Sequence, residues 1–324
     1  MFESPSELWG TLIGTYLFLG GLAGGAYVTG AVADYLSYRN EQRADAYSLT
    51  ARWGMVISVV AIVVGGLGLL FHLGEPTNVA YFWLFTQMSS WMTLGIWIIG
   101  VFVLLAIIQA LWLGFGEDTG FGLPFRRINR VADFTRPTTR ERLALNAIGA
   151  IVGLVLIVYT ALLISDVYPV VPLWHPVLLP MLFLASGLSM GICATVAVTT
   201  IKKGVHDTGV HEFSLADDVV ILGEIAILAA FLYVLQGDGA VALATYDRLT
   251  STFAFEFWVG VVVIGLILPL VISGVIILAN RMDGFSLGGT TEKVAYVTKF
   301  GFVIIGGWFL RMAVLFSAIN VPII

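Results

Sequence analysis

The sequence predicts an all-α, polytopic membrane protein with eight transmembrane helices, and three observations carry that prediction. Apolar residues fill 59% of the 324 positions and charged residues only 11%, about half the charge of an ordinary soluble chain. The apolar residues gather in eight windows near the length of about 20 residues that a helix needs to cross hydrocarbon. The lysines and arginines fall almost wholly in alternate connections between those windows, as expected of a chain sorted by the positive-inside rule.

Composition also removes whole classes of function. The 36 glycines sit in an apolar chain, so they do not signal disorder, which needs low hydrophobicity. One cysteine, Cys193, is too few for a disulfide framework, a zinc ribbon or a cysteine-ligated iron–sulfur cluster. A net charge of −5 offers no basic field for nucleic acid. No Walker loop, His-Glu-x-x-His or other metal-site spacing is present.

Taken in order, the windows are Thr11–Tyr35, Trp53–Phe71, Ser90–Trp112, Leu143–Ile164, Pro176–Ile201, Val219–Leu235, Phe255–Ala279 and Phe300–Ser317. Polar or proline-bearing breaks separate them. The second ends at Gly74 and Pro76, both helix breakers, and the sixth is the shortest and carries Glu224. The first residues hold Glu3 and Glu7 and no basic stretch, unlike a cleavable signal peptide. Fourteen Lys and Arg lie in the odd-numbered connections, six of them between Arg126 and Arg142, against Arg248 alone in the even-numbered ones. Both termini are therefore expected outside the cytoplasm, with Arg311 left inside the eighth window.

The chain also carries an internal echo. Gly21-Leu-Ala-Gly-Gly25 in the first window and Gly187-Leu-Ser-Met-Gly191 in the fifth share Gly-Leu-x-x-Gly, 166 residues apart. A duplicated four-helix unit would produce this, and so would ordinary close packing through small residues. The expected organisation is two four-helix bundles, residues 1–170 and 171–324.

Polar groups inside a bilayer are costly and mark functional sites by default. His72 and Glu75 stand at the outer end of the second window, where a helix-capping histidine is the plainer account. Tyr159 and Asp166 are seven residues apart in the fourth window, which puts them on one helix face with the carboxylate nearer the outer water. That pair suits a quinone-like carbonyl and an outward proton exit; an interfacial tyrosine belt followed by a loop aspartate fits the same letters. Tyr16 lies toward the outside of the first window, and a phenol both donates and accepts a hydrogen bond. Glu224 and Arg311 are the most deeply placed charges, either a proton path or hydrogen-bonded structural charges. Asp34, Arg281 and Glu256 at window ends are expected to snorkel to water. Of the four histidines, His206 and His211 fall in the fifth connection, and His175 stands between Trp174 and Pro176. That leaves no good facing pair of haem ligands.

In this order the residues resemble the NrfD family, the membrane subunits of polysulfide-reductase-type molybdoenzymes. The stretches that carry the likeness are Tyr16-Leu-Phe-Leu-Gly-Gly-Leu-Ala-Gly-Gly25, His72-Leu-Gly-Glu-Pro76, Ser90-Trp-Met-Thr-Leu-Gly-Ile-Trp97, Tyr159-Thr-Ala-Leu-Leu163, Trp174 with Pro180, Leu182-Phe-Leu-Ala-Ser-Gly-Leu188 and Gly306-Gly-Trp-Phe-Leu-Arg311. The resemblance implies two four-helix bundles without haem or iron–sulfur cluster and a quinone site near the outer face of the first. It also implies an exported, four-cluster-type iron–sulfur subunit docked over that face, with a molybdopterin catalytic subunit beyond. It matches Tyr159 to the family's quinone tyrosine and His72 to its outer histidine, and places Tyr16 where some members have histidine. Two positions depart from the pattern: Ala161 replaces a more usual glycine and His175 a more usual asparagine.

The expected function is the quinol/quinone-reactive subunit of a respiratory oxidoreductase in the cell membrane. Tyr16, His72, Tyr159 and Asp166 would form its site, and Glu224 and Arg311 a proton path. The quinone type, menaquinone or ubiquinone, stays open. A secondary transporter, or an anchor without a quinone site, are the rival readings.

Overall fold

The computed structural model describes residues 6–72, 90–116, 121–122, 124–205, 209–281 and 288–319; the side chains of 6–9, 71–72 and 280–281 lie outside that description. Among the described residues the chain is helical, without strands. Eight helices are long and apolar enough to cross a membrane. Span one is Ser6–Arg39, span two Ala44–His72, span three Trp91–Gly114 and span four Thr139–Ser165. Span five is Leu178–Lys203, span six Val210–Gly237, span seven Phe255–Ile267 continuing as Leu268–Arg281, and span eight Gly289–Phe316. A surface helix, Arg126–Thr135, precedes span four.

Every expected window is a span, but most helices run further at the arginine-rich end than the apolar letters do. Span six begins at Val210, not Val219, and span eight at Gly289, not Phe300. The extra turns are polar and are held by contacts between helices. Arg43 pairs with Glu212, and Lys293 Nζ donates to the Ile201 carbonyl at 2.7 Å. Span four starts on a capping box: the Thr138 hydroxyl accepts from the Glu141 N–H, and the Glu141 carboxylate accepts from the Thr138 N–H at 3.0 Å. That satisfies helix donors which would otherwise be orphaned.

Contacts between helices close two rings. Spans one, two, three and four touch in the order one–two, two–three, three–four and four–one; spans five, six, seven and eight do the same. Span one also packs on spans five and eight, so it lies at the seam. The spans of lowest mean hydropathy, one, five and eight, are the most buried. That is the reverse of a soluble core and the right order here, because lipid is as apolar as leucine and rewards close backbones instead.

The two echoed segments meet each other at this seam. A Cβ on Gly25 would collide with the Gly187 carbonyl, and one on Gly191 with the Gly25 backbone. The repeat letters therefore mark one interface between the two rings.

Span seven has an unusual start. Phe255–Ile267 is wound as a π-helix, closed by the Leu268 N–H on the Val263 carbonyl five residues back. Such windings concentrate at functional sites, and this one faces a small cavity beside Glu224.

Candidate functional site

Three polar regions stand out, one in the first ring and two in the second. In the first ring, Tyr16 and Tyr159 sit at matching depth from the end opposite the arginines. Tyr16 is six residues past a break in span one at Gly10, and Tyr159 six residues before the end of span four at Ser165. By the helical rise each is roughly 9 Å in from its helix end. Both are buried, Tyr16 to 1% and Tyr159 to 4% exposure, and each lies within electrostatic reach of the other. The Tyr16 hydroxyl has no hydrogen-bond partner, and the Tyr159 hydroxyl makes no hydrogen bond among the described residues. A buried hydroxyl left unpaired costs about 1–3 kcal/mol, so the Tyr16 hydroxyl, with a second phenol close by near a membrane boundary, is a ready-made place for a ligand carbonyl or hydroxyl.

The sequence builds this seat with glycines on the neighbouring helices. Gly95 of span three leaves the space that the Tyr159 ring and hydroxyl occupy; any Cβ there would collide with them. Gly65 of span two packs on Leu19 and on the Tyr16 ring, whose Cδ2 would be 3.6 Å from a Cβ at 65. Asp166 follows the last turn of span four and is exposed. His72 closes span two; its side chain lies outside the described residues, as does Glu75.

The expectation for Asp34 needs correction. It is 1% exposed and accepts from Arg142 Nη1 at 2.6 Å and from Asn146 Nδ2 at 3.0 Å. It does not snorkel, because span four supplies a guanidinium and an amide on the face that meets span one. His175 accepts at Nδ1 from the N–H groups of Val177 and Leu178, which makes it a backbone cap at the start of span five. Beside it the Trp174 indole N–H reaches the Val314 carbonyl at 3.2 Å. Outside the spans, Tyr168 donates to Asp238 at 3.4 Å; burial, then the Asp238 charge, push its hydroxyl above the usual tyrosine range.

In the second ring Arg311 is fully buried. Its Nη1 donates to Ser186 Oγ at 2.6 Å and to the Gly307 carbonyl at 3.1 Å, and its guanidinium lies over the Phe183 ring at 4.7 Å. A Cβ on Gly21 of span one would be 3.1 Å from Nη2, so this cation sits at the seam between the rings. Ser186 also joins it to Glu224, which is 5% exposed. The two deep charges singled out from the sequence thus share one small network beside a cavity of about 10 Å³, room for about one water.

A second buried cluster is not legible as a site in the sequence. Lys299 and Asp217 are fully buried and Asp218 is 9% exposed. Lys299 Nζ lies 2.7 Å from Asp218 Oδ1 and 3.3 Å from Asp217 Oδ2, and donates to Ser214 Oγ at 2.7 Å. Ser189 donates to Asp217 at 2.5 Å and Ser273 to Asp218 at 2.9 Å. These residues fall just before the apolar windows that start at Val219 and Phe300, where Lys299 reads as one more loop base. The signal that could find them is helical continuation: neither proline nor glycine separates Asp217 from Val219 or Lys299 from Phe300.

The family model for polysulphide reductase, NrfD, matches residues 1–322. The chain belongs to the NrfD family. Among its relatives is the protein NrfD homolog of Haemophilus influenzae, 28% identical over 327 residues that cover 98% of this chain and 96% of the relative. The C subunit of polysulfide reductase from Wolinella succinogenes is 29% identical, covering 82% of this chain and 83% of that protein. Protein NrfD of Escherichia coli is 28% identical over 98% of this chain and 96% of its own length. NrfD membership and eight apolar helices together make this a multi-pass membrane protein.

Proposed function

We propose that this chain is the quinol- and quinone-reactive membrane subunit of a multisubunit oxidoreductase. The observation that carries the reading is the pair of buried phenols at equal depth in the first ring, Tyr16 with no hydrogen-bond partner and Tyr159 within electrostatic reach of it. Each can donate to and accept from a ring oxygen, so the residues present fit a quinone. When bound, that group supplies two-electron, two-proton redox chemistry. Tyr16 and Tyr159 would hold its oxygens, and His72 at the end of span two would complete the seat. Asp166, exposed one turn or two beyond Tyr159, would hand protons to water at that end.

The skew of basic connections supports an extracytoplasmic position for the opposite end, with both termini. The chain's one cysteine cannot hold an iron–sulfur cluster. The electron partner is therefore another polypeptide: an extracytoplasmic iron–sulfur subunit, with a molybdopterin catalytic subunit behind it. Membership beside the polysulfide reductase C subunit supports a redox complex over a secondary transporter. In the second ring, Glu224 and Arg311 are proposed as part of a proton path.

Replacing Tyr159 with Phe in the purified complex tests the site. Quinol-dependent turnover should fall about tenfold or more, in the range of lost acid–base or oxyanion contacts, with subunit assembly unchanged. Unchanged turnover would remove Tyr159, and a purified complex from which no quinone can be extracted, with turnover insensitive to quinone analogues, would remove the reading.

A further inference from the structure

We propose that Asp217, Asp218 and Lys299 form a proton-exchange site in the second ring, reached from the arginine-rich end through a small cavity lined by His211 and Tyr296. The inference does not rest on the quinone reading.

Charge balance is the first argument. Two carboxylates and one ammonium are buried together, and their formal sum is −1. An uncompensated charge in a low-dielectric interior is expensive, so the site is neutral only when one carboxyl carries a proton. The groups that face it from each packed helix leave this count unchanged. Span five brings Ser189 and Cys193, span six Ser214 and span seven Ser273. The more distant charges are Glu224, itself beside Arg311, Glu292 on span eight, and Glu212, itself paired with Arg43.

Access is the second argument. Asp218, Ser214, Ser273, Tyr296 and His211, with Leu215, Ile276 and Ile277, line one cavity of about 10 Å³, enough for about one water with several polar partners. His211 is exposed to the surroundings while Tyr296 is 2% exposed, and His211 Nδ1 lies 3.3 Å from the Tyr296 hydroxyl. The lining therefore runs from an exposed imidazole to a buried carboxyl. A proton arriving at His211 can pass by Tyr296, or by a water entering that cavity, to Asp218, while the proton already held leaves by the same groups. From there Lys299 and Asp217 lead to Ser189, one helical turn from Ser186 in the Arg311–Glu224 network.

Cys193 provides the test. It is the chain's only cysteine and is fully buried, with its thiol facing the Asp217 carboxylate within hydrogen-bonding reach. Its S–H stretch reports whether deuterons reach the cluster. Infrared spectra of the purified full-length chain moved into D₂O should show S–H converting to S–D within minutes. The conversion should slow by about tenfold or more in the H211L/Y296F double variant, as exchange then waits for slower opening of the fold. The wild-type minus D218N difference spectrum should contain a protonated-carboxyl band at neutral pH. An S–H band that persists for hours in the wild type, equal exchange in the double variant, or no carboxyl band in the difference spectrum would each overturn the proposal. Should D218N not fold, D217N replaces it, because the shared proton is lost with either carboxyl.

Discussion

The candidate sites of the two rings are built in opposite ways, the first ring's buried Asp34–Arg142 pair lying apart from its phenols. Near the end away from the arginines, the first ring buries neutral phenols, Tyr16 and Tyr159, and leaves the Tyr16 hydroxyl without a partner. The second ring buries true charges, Glu224, Arg311, Asp217, Asp218 and Lys299, and surrounds them with serines. A neutral hydroxyl can be left waiting at moderate cost, whereas a buried ion without partners cannot. The first arrangement suits a ligand that comes and goes, the second a network that must stay intact while protons move.

The largest expected effect comes from breaking the charged network. Lys299→Met takes the cation from a buried carboxyl pair and should cost about 3–5 kcal/mol. It would be read as a large loss of folded protein in thermal unfolding of the purified chain. Adding Asp217→Asn and Asp218→Asn should restore much of that loss, because the unpaired charges are then gone. If Lys299→Met alone is harmless, the contrast between the rings fails.

Next is the neutral site. Gly95→Ala pushes into the Tyr159 ring and hydroxyl and should lower quinol-dependent turnover about as strongly as Tyr159→Phe. Restoring space with Tyr159→Phe in the same chain should not deepen the defect, since two changes at one contact are not additive. A fully additive double variant would separate Gly95 from the site.

Asp34→Asn should cost roughly 1–3 kcal/mol by leaving Arg142 partly unpaired, visible in unfolding and not in turnover. At the small end, Trp174→Phe removes one buried hydrogen bond to Val314 and should cost about 1 kcal/mol. Arg43→Ala breaks an exposed pair with Glu212 and a contact with Tyr47 and should leave unfolding nearly unchanged.

Much of this molecule is legible because bilayers impose simple rules. Each apolar window is a span, and Tyr16, Tyr159, Glu224 and Arg311 are all recognisable as polar letters inside apolar runs. Helix boundaries are less legible, since hydropathy marks where lipid ends and not where hydrogen bonding ends. Asp217, Asp218 and Lys299 fall in that gap. Asp34 is misread for a related reason: its ion-pair partner Arg142 lies 108 residues away and reads as a loop base.

What the sequence determined by itself is the environment. Eight long apolar segments must bury their backbone polar groups in helices, and the skew of arginines predicts the direction of each crossing. Only the tertiary structure decided that the two glycine motifs face each other, that Gly95 makes room for Tyr159, and that one lysine and two aspartates share a buried site. Pairing between helices depends on rotation and depth, and a periodicity of 3.6 residues states neither until the helices are packed.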